Sequence, residues 1–171
     1  QNLLGSSNRL WEKDLLYKVE QNIAYFTINR EKNRNSISGE AVSLFLDYLD
    51  QAEEDPDVRA ICVTGAGEKA FCSGADLGNV MSGDSSEPAD PLKNYARLLK
   101  RLAGSPKPTV ARINGYCLAG GTGFMLACDI VIAREDAKFG TPEVNVGLFP
   151  MMIGALIFRN VLRKKAMEMI L

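Results

Sequence analysis

The chain contains no histidine among its 171 residues. That excludes Ser-His-Asp and Cys-His nucleophilic mechanisms and most zinc sites, all of which need an imidazole. A dominant charge is lacking too: 20 Lys and Arg stand against 21 Asp and Glu, for a net charge of −1. Such a balance gives no long-range attraction for nucleic acid or an anionic membrane surface, and neither is an expected partner. No apolar run reaches the ~20 residues needed to cross a bilayer. The four cysteines, Cys62, Cys72, Cys117 and Cys128, form no C-x-x-C pair. Two lie in apolar runs and read as small core residues, and all four as reduced thiols of a cytoplasmic protein, with neither a disulfide framework nor a bound metal expected. The first residues, Gln1 to Arg9, are polar and carry no apolar core, so they do not read as a secretory signal. Residues 1–12 are expected to be a flexible leader.

What remains is an ordinary globular composition, 46% hydrophobic and 24% charged, at a length that suits one domain. Leu15 to Glu20 and Ile23 to Ile28 are short β-type runs about Gln21-Asn22, and predict a hairpin. Asn29 to Ser36 is a polar loop. Ser38 is placed to cap a helix whose apolar positions are Ala41, Val42, Phe45, Leu49 and Ala52. Val58 to Thr64 predicts a buried strand. Gly78 to Pro91 is rich in Gly, Ser, Asp and Pro and predicts a surface loop. Leu92, Tyr95, Leu98, Leu99 and Leu102 mark a second helix, and Thr109 to Ile113 another strand. A glycine-rich turn then leads to an apolar helix near Phe124 to Ala127, and Asp129 to Ala133 gives a further strand. Strands alternating with helices predict an α/β architecture. No internal repeat of fixed period is visible. The chain stops within a stretch of helical spacing at Met169-Ile170-Leu171, and C-terminal helices are expected to be missing or incomplete.

Three segments carry chemistry. Lys69 to Leu77 follows a buried strand, and its small residues Ser73, Gly74 and Ala75 leave backbone N–H groups open to a ligand. The same residues would also serve a plain tight turn. Asn114 to Phe124 carries a strand into a glycine-rich turn and a helix start, where unsatisfied N–H groups and the helix dipole converge. This suits an anion or a carbonyl oxygen that gains charge during reaction, although close helix–sheet packing also wants glycine. The turn is not G-x-G-x-x-G, and Gly65 to Lys69 is not a P-loop, so nucleotide cradles are disfavoured. In Phe139 to Leu148, Glu143 follows Pro142 amid apolar residues, a setting that can raise a carboxylate's pKa for general-base work, although position alone favours a surface glutamate on a loop.

The order of these segments, from about Leu15 to the last residue, resembles the crotonase (enoyl-CoA hydratase/isomerase) superfamily. Asn29 to Ser36, Phe71 to Leu77, Asn114 to Asp129 and Phe139 to Gly147 fall where that family has its motifs. The resemblance implies a crotonase-like fold of repeated ββα units over residues 13–171, and a C-terminal helical region that packs homotrimers or hexamers. It implies an acyl-CoA thioester as substrate, coenzyme A being part of that substrate, with no separate cofactor. The thioester oxygen is expected to take N–H bonds from Ala75 and Gly120, each such donor being worth roughly 10²–10³ in rate.

Coenzyme A is expected to curve over the polar loop and the turn after the buried strand, touching Arg34, Ser36, Gly74, Ala75, Asp76, Leu77 and Gly121. Arg34 is the candidate phosphate contact. Where relatives often carry Lys after the Gly-Ala-Asp turn, this chain has Gly78 and Asn79. Hydratases of the family usually carry two glutamates. The second matches Glu143, but the first matches Gly123. Moving a double bond needs one carboxylate, whereas hydration goes best with two, so isomerisation is favoured over hydration. The competing readings are a non-catalytic acyl-CoA-binding protein and a thioester hydrolase or decarboxylase of the same family. Cys72 lacks a histidine to activate it and reads as a packed thiol.

Overall fold

The hairpin forms because Gln21 and Asn22 both accept a left-handed backbone, with φ of 50° and 64°. A turn of that hand matches the twist of the strands it joins, β1 (Leu15–Glu20) and β2 (Ile23–Ile28). The computed structural model describes residues 13–74, 91–147 and 149–170. The expected leader, and most of the expected loop at Gly78 to Pro91, lie outside them. After β2 come helix α1 (Gly39–Glu54), strands β3 (Ala60–Gly65) and β4 (Ala70–Cys72), and helix α2 (Pro91–Ala103). Then follow β5 (Thr109–Ile113), β6 (Tyr116–Leu118), α3 (Gly120–Ala127), β7 (Ile130–Ala133), β8 (Phe139–Gly140), α4 (Met151–Asn160) and α5 (Arg163–Ile170).

This order is β-β-α repeated, as the resemblance implied, although the repeat is one of structure and not of sequence period. In each turn after the first, the leading strand enters one sheet and the trailing strand another. The larger sheet runs β1-β2-β3-β5-β7 and the smaller β4-β6-β8. β1 and β2 pair antiparallel, and every later pairing is parallel. The small sheet corrects the sequence reading, which took Lys69 to Leu77 and Phe139 to Leu148 as turn and loop. Its strands are only two or three residues long, too short to show a period of two.

The core lies between the larger sheet and the helices. α1 buries the predicted stripe of Ala41, Val42, Phe45, Leu49 and Ala52, and α2 buries Tyr95, Leu98, Leu99 and Leu102. The Ser38 side chain caps α1 by accepting the Ala41 N–H at 3.1 Å, and its own hydroxyl donates to the Asp14 carboxylate. Phe26 meets Phe45 edge-on at 5.1 Å, and Phe45 stacks on Phe124 at 5.2 Å. Tyr95 closes the series edge-on against Phe124 at 5.5 Å. This ladder of rings joins the sheet to three helices. Asp129 ties β5 to β7, its carboxylate accepting the Thr109 N–H at 2.8 Å and the Thr109 hydroxyl at 2.9 Å. β7 is the open edge of the larger sheet, and its Ile130, Val131 and Ile132 are exposed.

Two buried asparagines hold the β3–β4 connection. Asn35, fully buried and left-handed (φ 54°), donates to the carbonyls of Ala66 (2.9 Å) and Ala70 (2.7 Å). Its own carbonyl accepts the Arg30 N–H at 3.0 Å. Asn114, at the end of β5, accepts the Gly65 N–H (3.2 Å) and donates to the carbonyls of Gly65 (3.0 Å), Gly67 (2.8 Å) and Ala70 (3.2 Å). Truncating Asn114 leaves several buried backbone groups without partners, each worth about 1–3 kcal/mol. Asn114→Ala is therefore expected to lower the unfolding free energy by roughly 2–4 kcal/mol. Urea denaturation measures it, with Lys18→Ala on the exposed hairpin as a control that should move by less than about 0.5 kcal/mol.

Candidate active site

The site begins where β4 ends. Gly74 has φ of +104°, and its carbonyl accepts the Ile37 N–H at 2.8 Å. A Cβ at Gly74 would stand 2.7 Å from the Ala119 Cβ and 3.2 Å from the Gly120 nitrogen. Only glycine fits there, and the near collision shows how closely the β4 turn and the start of α3 approach. Ala119, the residue before α3, has φ of 49° and ψ of −122°, an unusual conformation for a residue with a side chain. Gly120, as the first helical residue, has an N–H with no acceptor inside the helix, and no side chain caps α3. A Cβ at Gly121 would lie 2.3 Å from the Cys72 carbonyl, so glycine there lets the helix start sit directly on β4. The turn therefore offers helix-start N–H groups beside Gly74, the arrangement expected for receiving an oxygen that gains charge. Ala75, the expected second donor, lies outside the described residues, as do Asp76 and Leu77.

Glu143 reaches this place through β8. The Gly140 carbonyl accepts both the Ala119 N–H (3.0 Å) and the Thr122 hydroxyl (3.2 Å). Three residues on, Glu143 sits in a single 3₁₀ turn, Pro142–Val146, with proline supplying the fixed φ at its start. The buried Thr141 hydroxyl donates to the Met169 carbonyl, so α5 steadies the turn from below. The Glu143 carboxylate is half-buried, and its Oε2 has no hydrogen-bond partner among the described residues. Burial raises its pKa above the ordinary carboxylate range, while a backbone hydrogen bond within its own residue pulls the other way. Burial above all, with Glu143 adding to it, holds the Tyr95 hydroxyl well above its usual range. Tyr95 and Glu143 thus share one electrostatic neighbourhood.

The position matching the family's first glutamate is filled from outside. A Cβ at the buried Gly123 would meet Ile153 Cγ2 at 2.8 Å, Tyr95 Oη at 2.9 Å and Leu99 Cδ1 at 3.2 Å. No room for a carboxylate exists there without repacking α2 and α4. Phe124, beside that position, is fully buried between Phe45 and Tyr95. Cys72 is buried and its thiol is pushed up to about 12 by burial, which removes it as a nucleophile. Of the expected coenzyme A contacts, Arg34 is exposed in a left-handed conformation (φ 54°), open to solvent. Ser36 is instead engaged by Arg30, whose guanidinium donates to its carbonyl (2.8 Å) and hydroxyl (3.0 Å). The structure brings Gly74, Gly120 and Gly121 together, and ties the strand that leads to Glu143 to the same turn through the Gly140 carbonyl. Sequence reasoning missed the parts that hold them: Asn35, Asn114, Thr122, Thr141 and Tyr95. One signal was available for Tyr95, a phenol among leucines on a buried helix face, which needs a hydrogen-bond partner.

Residues 18–171 match the family model described as enoyl-CoA hydratase/isomerase. The chain is similar to a Thermus thermophilus protein assigned to the enoyl-CoA hydratases, 38% identical over 91% of this chain and 63% of that protein. It is 35% identical to the (E)-benzylidenesuccinyl-CoA hydratase of Thauera aromatica, over 90% of this chain and 60% of the relative. Among solved structures, an enoyl-CoA hydratase from Bacillus anthracis superposes with a TM-score of 0.85 at 31% identity, over 92% of this chain and 62% of that one. The chain spans about three fifths of the length of these relatives. No helix among the described residues is long and apolar enough to cross a membrane.

A glutamate whose pKa is raised by folding contributes stability that is present below its unfolded pKa and lost as pH rises through the folded one. Glutamine does not titrate. Glu143→Gln is therefore expected to melt above the parent chain at pH 8, with the gap closing as pH falls below the ordinary carboxylate range. Calorimetric Tm values across pH 4–8 check this, and a gap that widened on acidification would contradict it.

Proposed function

The chain belongs to the enoyl-CoA hydratase/isomerase family, and we propose from that premise that its site shifts the double bond of an enoyl-CoA thioester. Glu143 acts as the single acid/base. In this reading the Glu143 carboxylate takes a proton from C2 of a 3-enoyl-CoA. The electron pair moves toward the thioester carbonyl, whose oxygen becomes an enolate held by the N–H groups of Gly120 and Ala75. The same carboxyl then returns the proton at C4, giving the 2-enoyl isomer. The observation that carries this reading is the pairing of a half-buried, unpartnered carboxylate at Glu143 with a closed, apolar position at Gly123. A carboxylate whose pKa burial raises is a stronger base for taking a proton and returning it. Hydration, in contrast, is served best by a second carboxylate to position the water.

The exposed guanidinium of Arg34 is the proposed contact for the phosphates of coenzyme A. A cytoplasmic setting fits four cysteines that are all free thiols. Assembly as a trimer or hexamer is part of the reading, supported by exposed apolar side chains at Ile130, Ile132, Phe139, Phe149 and Met151. Hydration is the second reading, favoured by relatives that are named as hydratases.

The deciding experiment incubates the protein with 3-enoyl-CoA and 2-enoyl-CoA in deuterated water and follows product masses. Deuterium gained with a shifted double bond is expected, with a loss of roughly 10²–10⁴-fold in Glu143→Gln. The rate of the parent chain should rise with pH through the raised Glu143 pKa, since the ionised carboxylate is the base. Addition of a whole water to 2-enoyl-CoA would replace isomerisation by hydration. Thioester binding with no change in either ligand would leave an acyl-CoA-binding protein.

A further inference from the structure

The turn at the start of α3 is built from residues that do not hold themselves in place. Gly120 and Gly121 are adjacent glycines, and Ala119 before them is in a sparsely populated conformation. Besides a long bond from the Thr122 hydroxyl to the Cys117 carbonyl (3.4 Å), three hydrogen bonds from elsewhere in the fold grip this turn among the described residues. Two end on the Gly140 carbonyl, from the Ala119 N–H (3.0 Å) and the Thr122 hydroxyl (3.2 Å), and so hold the flanks. The third is the Tyr95 hydroxyl, which donates to the Gly120 carbonyl at 2.5 Å. It is the side chain that reaches the peptide between the two glycines, joining the helical N–H that the Gly120 carbonyl accepts within α3. Because a peptide is planar, fixing that carbonyl also fixes the direction of the Gly121 N–H and one of the two soft dihedrals of Gly120.

The hydroxyl is itself immobilised. Tyr95 is 5% exposed, and its ring is wedged against Phe124, which stacks on Phe45. Its Oη lies 2.9 Å from where a Cβ at Gly123 would be. A side chain at 123 and the Tyr95 hydroxyl thus compete for one space.

We propose that Tyr95 is a positioning residue: its hydroxyl clamps the Gly120 carbonyl, orients the turn that receives the thioester oxygen and, together with Ile153, leaves room only for glycine at position 123. The proposal rests on the enoyl-CoA reading for the oxygen that the turn receives, but the clamp itself is independent of it. It also gives position 123 a reason beyond the loss of a carboxylate.

Two measurements on the full chain test it. The first is amide hydrogen exchange without ligand, comparing the parent with Tyr95→Phe, which keeps the ring and removes the hydroxyl. Exchange in the segment 117–127 is expected to quicken by roughly tenfold, with β1–β3 unchanged. The second is kinetics with the enoyl-CoA isomer that turns over. There Tyr95→Phe should lower kcat by about tenfold or more with KM within about twofold, because a misaligned donor is felt in the transition state. Unaltered exchange in 117–127, an equal increase throughout the chain, or a change confined to KM would overturn the proposal. A parent chain that leaves every enoyl-CoA unchanged would sink the proposed function, while the ligand-free exchange would still decide for or against the clamp.

Discussion

The carbonyl of Ala70 receives the side-chain amides of both Asn35 and Asn114, and on this buried convergence the rest of the structure depends. Asn35 arrives from the loop after β2 and Asn114 from the end of β5, so three consecutive ββα units meet at one connection. A buried amide without partners would be penalised by about 1–3 kcal/mol per group, so the two side chains specify one path for the chain between Gly65 and Ala70. Glycine completes the junction. A Cβ at Gly65 would lie 2.4 Å from the Ala70 carbonyl, and one at Gly115 2.3 Å from the Lys69 carbonyl. Polar satisfaction and steric access thereby work together, and β4 leaves this knot in the one direction that brings Gly74 to Ala119.

From there the constraint passes to the site. The small parallel sheet sets β4, β6 and β8 side by side, and the three segments that carry chemistry are the continuations of those three strands. The ladder of Phe26, Phe45, Phe124 and Tyr95 supports the same place from the core side. Local strain at Ala119 and the left-handed Gly74 are held by that surround, as strained backbone at functional sites generally is. The Glu143 carboxylate is a second cost: its Oε2 has no hydrogen-bond partner among the described residues, and burial disfavours its charged form and raises its pKa.

The absence of a carboxylate at position 123 takes on a different meaning in three dimensions. It leaves no vacancy. Tyr95, Leu99 and Ile153 close over Gly123, so α2 and α4 pack where a glutamate would otherwise stand. The closure at Gly123 is then a property of the packing as a whole, beyond the one residue.

Much of the local structure was legible in the residues themselves. Gln21-Asn22 between two β-type runs specified the hairpin, Ser38 before an apolar helical stripe specified the start of α1, and Thr109 to Ile113 stood out as a strand. The glycine-rich segment announced a helix start, because open N–H groups and the absence of side chains are properties of the chain itself. The order of the motifs sufficed for the family. Tertiary structure alone decided the rest. The small sheet depends on pairing between strands two or three residues long, which no periodicity can reveal. The burial of Glu143, the capture of Ser36 by Arg30, the contact of Gly74 with Ala119 and the grip of Tyr95 on Gly120 join residues distant along the chain. Their energies come from proximity, desolvation and exclusion of space, and those exist only once the chain has folded.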